Sequence, residues 1–480
     1  MKVLFVIEAY FEWIGVRYLS ALLKKEGDEC DVLIESSIEK IARYVKKEHP
    51  NLVGYVTLSG LHKFCIASAS EIKEVSPETK IIFGGPHATF FPKVIESDPV
   101  DYVCQGEGEI PFMELVHRMK SNGSTTDIPG IWAKQEGKIY QNPPKLLIDD
   151  LDTLPLPDDE IFEKYDVFRK SYSWATMAGR GCPYNCSFCF NRQLKDLYEN
   201  KASFVRFRSA EIVIKEILQA KSKYPNKKYV HFHDDTFCID KRWFLDFAHK
   251  YAKQVGMPYF AQIRANVVDE DVAAALKESG CHLAGWGIES GVENIRRNIL
   301  KKTISDKRII ETGKLLNKYK IPFLTTNMLA LPTETFEDGL ETIRLNQKIK
   351  TSVPWYSVFQ PYPGTDIVDD MRDLLQIPVF QDNFDFDFHS KSIIKNKDAK
   401  KLAKLHKFSV LLTKFPKLLP MVKFLILFPD NALYRIIHRM SHTWVYTKVN
   451  MNGYINTVLL GLKYEWLRLK FLFLYKKKSP

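Results

Sequence analysis

Up to about residue 120 the chain alternates short apolar runs with amphipathic stretches: KVLFVI, a helix from Gly15, CDVLI, LVGYVTL, a helix from Leu61, KIIFGG and DYVCQG. Apolar runs of strand length separated by helical periodicity predict five strands of a doubly wound parallel sheet. In such sheets ligands sit beyond the carboxyl ends of the strands, and here those ends carry TLSGL (57–61), GGPHAT (84–89) and QGEGE (105–109) on one face. Residues 130–143 predict a hairpin turning near Gly137, while LIDDLDTLPLPDDE (147–160) is a Pro- and Asp-rich linker. From Ser173 to about Gln360 the alternation resumes, with strands near 174–179, 229–234, 258–264, 282–288, 322–329 and 354–359. Six βα units predict a partial barrel, with chemistry on the loops that follow its strands. The expected organisation is α/β: a sheet domain over 1–145, a linker over 146–172, a barrel over 173–375 and a largely helical region over 376–480.

Composition adds compartment and charge. At 480 residues with 45% hydrophobic content the chain exceeds one core and predicts two or three domains. MKVLFVIEAY reaches Glu8 without a small-residue cleavage site and reads as a buried strand, so the cytoplasm is the expected compartment. Eight unevenly spaced cysteines do not make a disulfide framework, and clustered ones become metal candidates. Residues 391–480 carry 19 basic against 3 acidic side chains, leaving 50 against 55 in residues 1–390. That localised charge predicts contact with an anionic surface and no general nucleic-acid binding. No stretch is apolar and uncharged for the roughly 18 residues that a membrane span needs.

GRGCPYNCSFCFN (179–191) follows the first barrel strand and spaces its thiols as Cys182-x-x-x-Cys186-x-x-Cys189. Three thiolates in one loop can hold three irons of a 4Fe-4S cubane and leave the fourth open. An open iron can chelate the amino and carboxylate groups of S-adenosylmethionine (SAM), and electron transfer into the sulfonium then gives methionine and a 5′-deoxyadenosyl radical. The alternatives are a zinc site completed by His231 or His233, or unrelated buried thiols. Cys238 and Cys281 lie in apolar surroundings and are expected in the core.

With these residues the sequence resembles the radical SAM superfamily, in particular its branch with an N-terminal cobalamin-binding domain, over roughly residues 1–370. The resemblance implies that Phe188 lies against the adenine, that Asp234 and Asp235 hold the SAM amino group, and that Glu289 and Ser290 bind its ribose or carboxylate. Each falls in a segment that ends or follows a predicted strand, as do MLALPTET (328–335) and PYPGT (361–365). Arg264, at the end of the third barrel strand, is a candidate partner for the SAM carboxylate because guanidinium pairs with carboxylate bidentately.

Cobalamin-binding sheets of the methionine-synthase type are similar in carrying Ser-x-Leu after the third strand and Gly-Gly after the fourth, matched here by Ser59-Gly60-Leu61 and Gly84-Gly85. The resemblance implies cobalamin threaded past these glycines, with Thr57 or Ser59 donating hydrogen bonds; Gly106 and Glu107 on the neighbouring QGEGE loop join the candidate cofactor residues. The family's histidine-bearing loop falls on Tyr10–Gly15, where Glu12 replaces the cobalt-ligating histidine. A sheet that no longer binds corrinoid is the competing reading.

From Asp430, a candidate helix cap, Arg435, His438, Arg439 and His442 recur at helical spacing with Leu433, Ile436, Ile437, Met440 and Trp444 opposite. This is either a helix packed on the barrel with a solvated basic face, or a surface for anionic lipid or a lipidic, acidic substrate. The expected whole is a monomeric core of sheet and partial barrel that methylates an unactivated carbon of a small-molecule or lipidic substrate, with electrons from a donor such as flavodoxin or ferredoxin. Radical cyclisation, as in the anaerobic porphyrin-ring cyclases that the chain also resembles, is the alternative reaction; a non-catalytic corrinoid carrier or sensor is the alternative of another class.

Overall fold

Five parallel strands open the chain: β1 Lys2–Ile7, β2 Glu29–Ile34, β3 Leu52–Val56, β4 Lys80–Gly84 and β5 Tyr102–Cys104. They alternate with α1 Ile14–Lys25, α2 Ile38–Glu48, α3 His62–Val75, α4 Gly85–Phe90 and α5 Glu109–Lys120, and the hairpin β6 Ile131–Gln135 and β7 Lys138–Tyr140 adds an antiparallel edge. The computed structural model describes residues 1–8, 13–374, 392 and 394–447. Glu12, the 381–390 segment and the terminal WLRLKFLFLYKKKSP lie outside the described residues.

The strand order is β2-β1-β3-β4-β5-β6-β7. Val3, Phe5 and Ile7 enter one core while Leu4 and Val6 enter the other, so both faces of β1 are covered and it reads as a continuous apolar run. The order reverses between β1 and β3, which puts the ligand crevice at their carboxyl ends. The predicted turn at Gly137 is present, with Glu136 and Gly137 both at positive φ.

The linker is not loose. Asp158 accepts from Ser20 Oγ at 2.6 Å and pairs with Lys24, and Asp150 caps a 3-10 turn over Leu151–Thr153. A short helix, α6 Asp166–Arg169, leads into the barrel.

The barrel elements follow in chain order: β8 Ser173–Thr176, β9 Gly179–Arg180, α7 Asn191–Asp196, β10 Arg206–Phe207, α8 Ala210–Lys223, β11 Tyr229–Phe232, α9 Lys241–Gln254, β12 Tyr259–Gln262, α10 Glu270–Glu278, β13 Cys281–Glu289, α11 Asp306–Lys318, β14 Phe323–Leu329, α12 Phe336–Lys348, β15 Val353–Val358 and α13 Asp366–Asp370. Six of the strands form one parallel sheet in the order β15-β14-β13-β12-β11-β8, the expected partial barrel. Its core runs from Trp174 to Ile349 and contains Cys238 and Cys281, as expected. The small antiparallel β9–β10 ribbon was not predicted; at two residues per strand it has too little periodicity to read.

Three helices follow: α14 Ala399–Lys414, α15 Leu419–Leu425 and α16 Ala432–Thr447. α14 is seated on the last barrel unit, with His406 Nε2 at 2.9 Å from Tyr356 O and Thr413 Oγ1 at 2.7 Å from Tyr356 Oη. α16 corrects two expectations. Asp430 pairs with Lys407, so the Tyr434 N–H is taken by Asn431 Oδ1 at 3.2 Å. The helix is also turned about its axis: His438 and His442 face inward, their rings 4.6 Å from His406 and 5.2 Å from Trp355, while Leu433, Ile436, Met440 and Trp444 are exposed. Its buried side is Tyr434, Ser441 and Val445, with Ile437 packed beside them, and the seat beneath is the apolar cluster of Leu402, Leu405 and Phe408 on α14.

Candidate active site

The cysteine loop leaves β8 at the carboxyl edge of the barrel and is pinned before it reaches the first thiol. Asp234, following β11, accepts from Ala178 N at 3.0 Å and from Gly179 N at 2.5 Å, which fixes where the loop departs. Gly181 is required by its φ of +83°, and a side chain there would also run into Phe204. Further along, Ser187 donates from Oγ to Ile299 O at 2.6 Å and from N to Leu300 O at 3.0 Å, while Ile367 N donates to Ser187 O.

Each of the three sulfurs has its own partner. Cys182 Sγ lies 3.7 Å from Thr236 Oγ1, Cys186 Sγ accepts from Arg264 Nη1 at 3.6 Å, and Cys189 Sγ accepts from Asn191 Nδ2 at 3.5 Å. Burial raises the Cys182 thiol and pushes Cys189 up to about 11. Such thiols stay protonated at neutral pH until a metal takes them as thiolates.

Among the described residues no three His, Cys, Asp or Glu side chains close around a single ion. A cubane takes one thiolate at each of three irons, so its three sulfurs need not converge on a single ion. His231 and His233, the candidate completing ligands, stack on each other at 4.2 Å. The donor set therefore fits a three-cysteine cluster.

The other expected SAM residues gather on the same edge with differing commitments. Arg264 is buried, its guanidinium 3.6 Å above the Tyr184 ring, and its Nε has no hydrogen-bond partner among the described residues, a donor left over beside the thiols. Burial raises the Asp235 carboxyl above its usual value, and a hydrogen bond from Asn191 offsets only part of that. Glu289 ends β13 at a φ of +69° and binds Lys302 Nζ at 2.9 Å, and Gly287 leaves room for that carboxylate to fold back over the strand. Ser290 is fully buried and accepts from Val292 N at 3.2 Å. Phe188 packs, partly buried, against the apolar cluster that contains Ile295, Leu331 and Phe359. Asp234 differs most from its expectation, because both carboxylate oxygens already serve the backbone. Sequence reasoning missed Tyr184, Asn191, Thr236 and Lys302; the first two sit inside the quoted motif, but nothing local says that Tyr184 lies under Arg264 or that Asn191 meets Cys189.

At the sheet's carboxyl edge the β3 and β4 loops are knitted together. Thr57 donates to Gly84 O at 2.7 Å and accepts from Ala88 N at 3.2 Å, so its hydroxyl is used within the protein. Ser59 Oγ lies 3.0 Å from His87 Nδ1, and Gly60 N donates to His62 Nδ1 at 3.3 Å. The His62 and His87 rings stack at 4.0 Å, and burial lowers His87 to about 3. Gly85 has a φ of +87° and backs onto Thr57, where a Cβ would sit 3.2 Å from both its N and O. Glu8, just after β1, is raised by burial to about 7, and its Oε2 is buried with no partner among the described residues. A buried carboxyl oxygen without a partner at the carboxyl end of β1 suits a polar tail such as that of cobalamin.

Gly106 and Glu107 are placed differently from the sequence expectation. Glu107 pairs with Arg206 at 2.6 Å and with Arg180 at 3.4 Å, and its N–H donates to Tyr198 Oη at 2.6 Å. A side chain at Gly106 would strike the same Tyr198 hydroxyl. Both residues therefore dock the sheet onto the barrel. Their partners come from the loop and ribbon of the second domain, which no local pattern around QGEGE can reveal. The docking continues at Phe90, whose ring stacks on Phe190 of the cysteine loop with centroids 4.6 Å apart. The segment after β4 and the segment bearing the thiols thus meet directly.

The comparisons agree with this geometry. The radical SAM superfamily model matches residues 177–345 and the B12-binding domain model residues 2–116. An uncharacterised methyltransferase of Pyrococcus horikoshii is 31% identical over 361 residues, 73% of this chain and 76% of that protein. An anaerobic magnesium-protoporphyrin IX monomethyl ester cyclase of Rubrivivax gelatinosus is 24% identical, covering 78% of this chain and 67% of its own. Among solved structures, the cobalamin-dependent SAM radical enzyme OxsB, with aqua-cobalamin and SAM bound, superposes with a TM-score of 0.70 at 15% identity, covering 98% of this chain and 75% of that one. The chain belongs to the radical SAM superfamily, in its branch of cobalamin-dependent enzymes. It is accordingly an enzyme whose cofactors are SAM, a 4Fe-4S cluster and cobalamin.

Proposed function

We propose that the protein methylates an unactivated carbon of a small-molecule or lipidic substrate held where the carboxyl edges of the sheet and the barrel meet. The observation that carries this reading is the Phe90–Phe190 stack at 4.6 Å, which sets the cobalamin-type loop directly against the thiol-bearing loop. When bound, cluster and SAM supply a 5′-deoxyadenosyl radical and cobalamin a transferable methyl group. Cys182, Cys186 and Cys189 hold the cluster, and Asp234 fixes the departure of their loop through Ala178 and Gly179. Arg264, anchored on Tyr184, turns a guanidinium toward the SAM carboxylate; Asp235, Glu289 and Ser290 order its amino group and ribose, and Phe188 flanks its adenine. The loops holding Ser59, Gly60, Gly84 and Gly85 form the cobalamin crevice, and the electron comes from a flavodoxin or ferredoxin.

Methyl transfer from labelled SAM, counted against deoxyadenosine released, tests the reaction. Label in product supports methylation. Turnover with deoxyadenosine and no transferred label makes the protein a cyclase or rearrangement enzyme, the reading favoured by its likeness to the porphyrin cyclase. Replacing the three cysteines together by alanine must remove the iron and the deoxyadenosine; retention of a full cluster would refute the ligand assignment.

A further inference from the structure

Ten of the sixteen exposed large apolar side chains among the described residues fall between Phe415 and Tyr446. They form a connected surface. Phe415 stacks on Trp444 at 5.8 Å, Phe424 meets Phe428 at 5.1 Å, and Tyr434 Oη donates to Leu425 O at 2.6 Å, joining α15 to α16. Leu427 is 72% exposed and Met440 67%, values foreign to residues that pack in a core. On α16 the outward stripe of Leu433, Ile436, Met440 and Trp444 keeps helical spacing, and Arg435 and Arg439 rise beside it, with Lys417 and Lys423 exposed nearby. Between Ala399 and Thr447 the one acidic side chain, Asp430, is paired with Lys407.

A contiguous apolar face rimmed by basic groups marks an interaction surface. Two occupants can be compared by charge. The chain beyond Thr447 carries seven basic side chains and one acidic, so it matches the face in sign and does not complement it. An anionic lipid surface complements both. We propose that α15 and α16 form a membrane-docking face, with the Leu433–Trp444 stripe and Leu427 inserted at the headgroup–acyl boundary and Arg435 and Arg439 at the phosphates. Among the described residues no helix is long and apolar enough to cross a membrane, so the contact is peripheral. Such docking is independent of which reaction the enzyme performs. Its link to chemistry is positional: the opposite side of α16 carries His442, whose ring is 5.2 Å from Trp355 on β15, so the docked face lies one helix away from a barrel strand.

The full chain is floated with vesicles of pure phosphatidylcholine and of phosphatidylcholine with phosphatidylglycerol, at low and high salt. Binding should require the anionic lipid and weaken as salt shortens the Debye length. Each basic group at such a surface contributes roughly fivefold to partitioning, so Arg435→Glu with Arg439→Glu should weaken binding at least about 25-fold. Ile436→Glu with Met440→Glu should abolish it, and because both side chains already face water, the melting curve and deoxyadenosine formation should stay as in the parent. Equal flotation of parent and variants, or binding that ignores lipid charge, overturns the assignment. So does a parent dimer that ignores vesicles and that the same variants split, since the face would then be a protein interface. Failure of the proposed reaction leaves this readout untouched.

Discussion

Arg180 of the cysteine loop donates from Nη2 to Glu109 Oε1 at 2.5 Å, so the segment that presents the thiols is clamped to the first helix turn after the sheet's fifth strand. Burial by itself would raise the Glu109 carboxyl, but the Arg180 guanidinium outweighs it and holds the group below its usual value. Both side chains are nearly inaccessible, so removing one strands the other's charge, a loss of about 3–5 kcal/mol. Arg180→Met should lower the urea midpoint strongly, and adding Glu109→Leu should recover part of the loss. Because the Glu109 value is depressed in the folded state, the pair's contribution is present above about pH 4.3 and is lost as acid carries it below the folded value. An unchanged midpoint in Arg180→Met would show that the clamp is not needed.

Asp234→Asn tests the departure of the loop. An amide can accept from only one of the Ala178 and Gly179 N–H groups and must turn its own donor toward the other. The expected loss is about 1–3 kcal/mol, with lower iron retention after gel filtration. Full retention of iron with unchanged stability would show that the carboxylate does not set the loop.

Glu334 supplies a pH signature in the loop after β14. It is buried, accepts from Leu331 N at 3.0 Å, and is raised by burial to about 8, so the folded protein holds its proton at neutral pH. A value raised on folding contributes stability that is complete below the unfolded value near 4.3 and is lost as pH rises through about 8. Unfolding free energy should therefore fall by up to roughly 1.4 kcal/mol per pH unit in that window. Glu334→Gln should flatten this slope, as measured by urea unfolding from pH 5 to 9; an equally steep slope in the variant would assign it to another group.

Gly85→Ala addresses the cobalamin crevice. The glycine holds a φ of +87° beside Thr57, so alanine brings left-handed strain and a tight contact with backbone. A cost of about 1–3 kcal/mol is expected. Hydroxocobalamin titration followed by absorbance should show weaker binding, while cluster assembly on Cys182, Cys186 and Cys189 is unchanged. Parent-like cobalamin affinity would place the corrinoid away from the β4 loop.

Period and spacing were enough for much of this protein. The short apolar runs could be sorted into two parallel sheets because strands buried on both faces leave a continuous signal, and all six barrel strands appear within a few residues of their expected positions. The three cysteines were legible because their spacing within one loop is itself the chemistry. What had no local signature was left open: the two-residue β9–β10 ribbon, and the site neighbours Thr236 and Lys302, which lie on other loops.

The sequence alone therefore determined which segments are strands and helices and which loop carries the thiols, since these depend on neighbours a few positions away. Tertiary structure decided the rest. QGEGE looks like a ligand loop, yet Glu107 is turned toward Arg206 and Arg180, distant in sequence and near only after the two domains pack. Likewise α16 has two contrasting faces, and periodicity says only that they exist. Which side turns inward was set by the apolar cluster of α14 beneath it, which takes Tyr434, Ile437 and Val445 and leaves Leu433, Ile436, Met440 and Trp444 facing out.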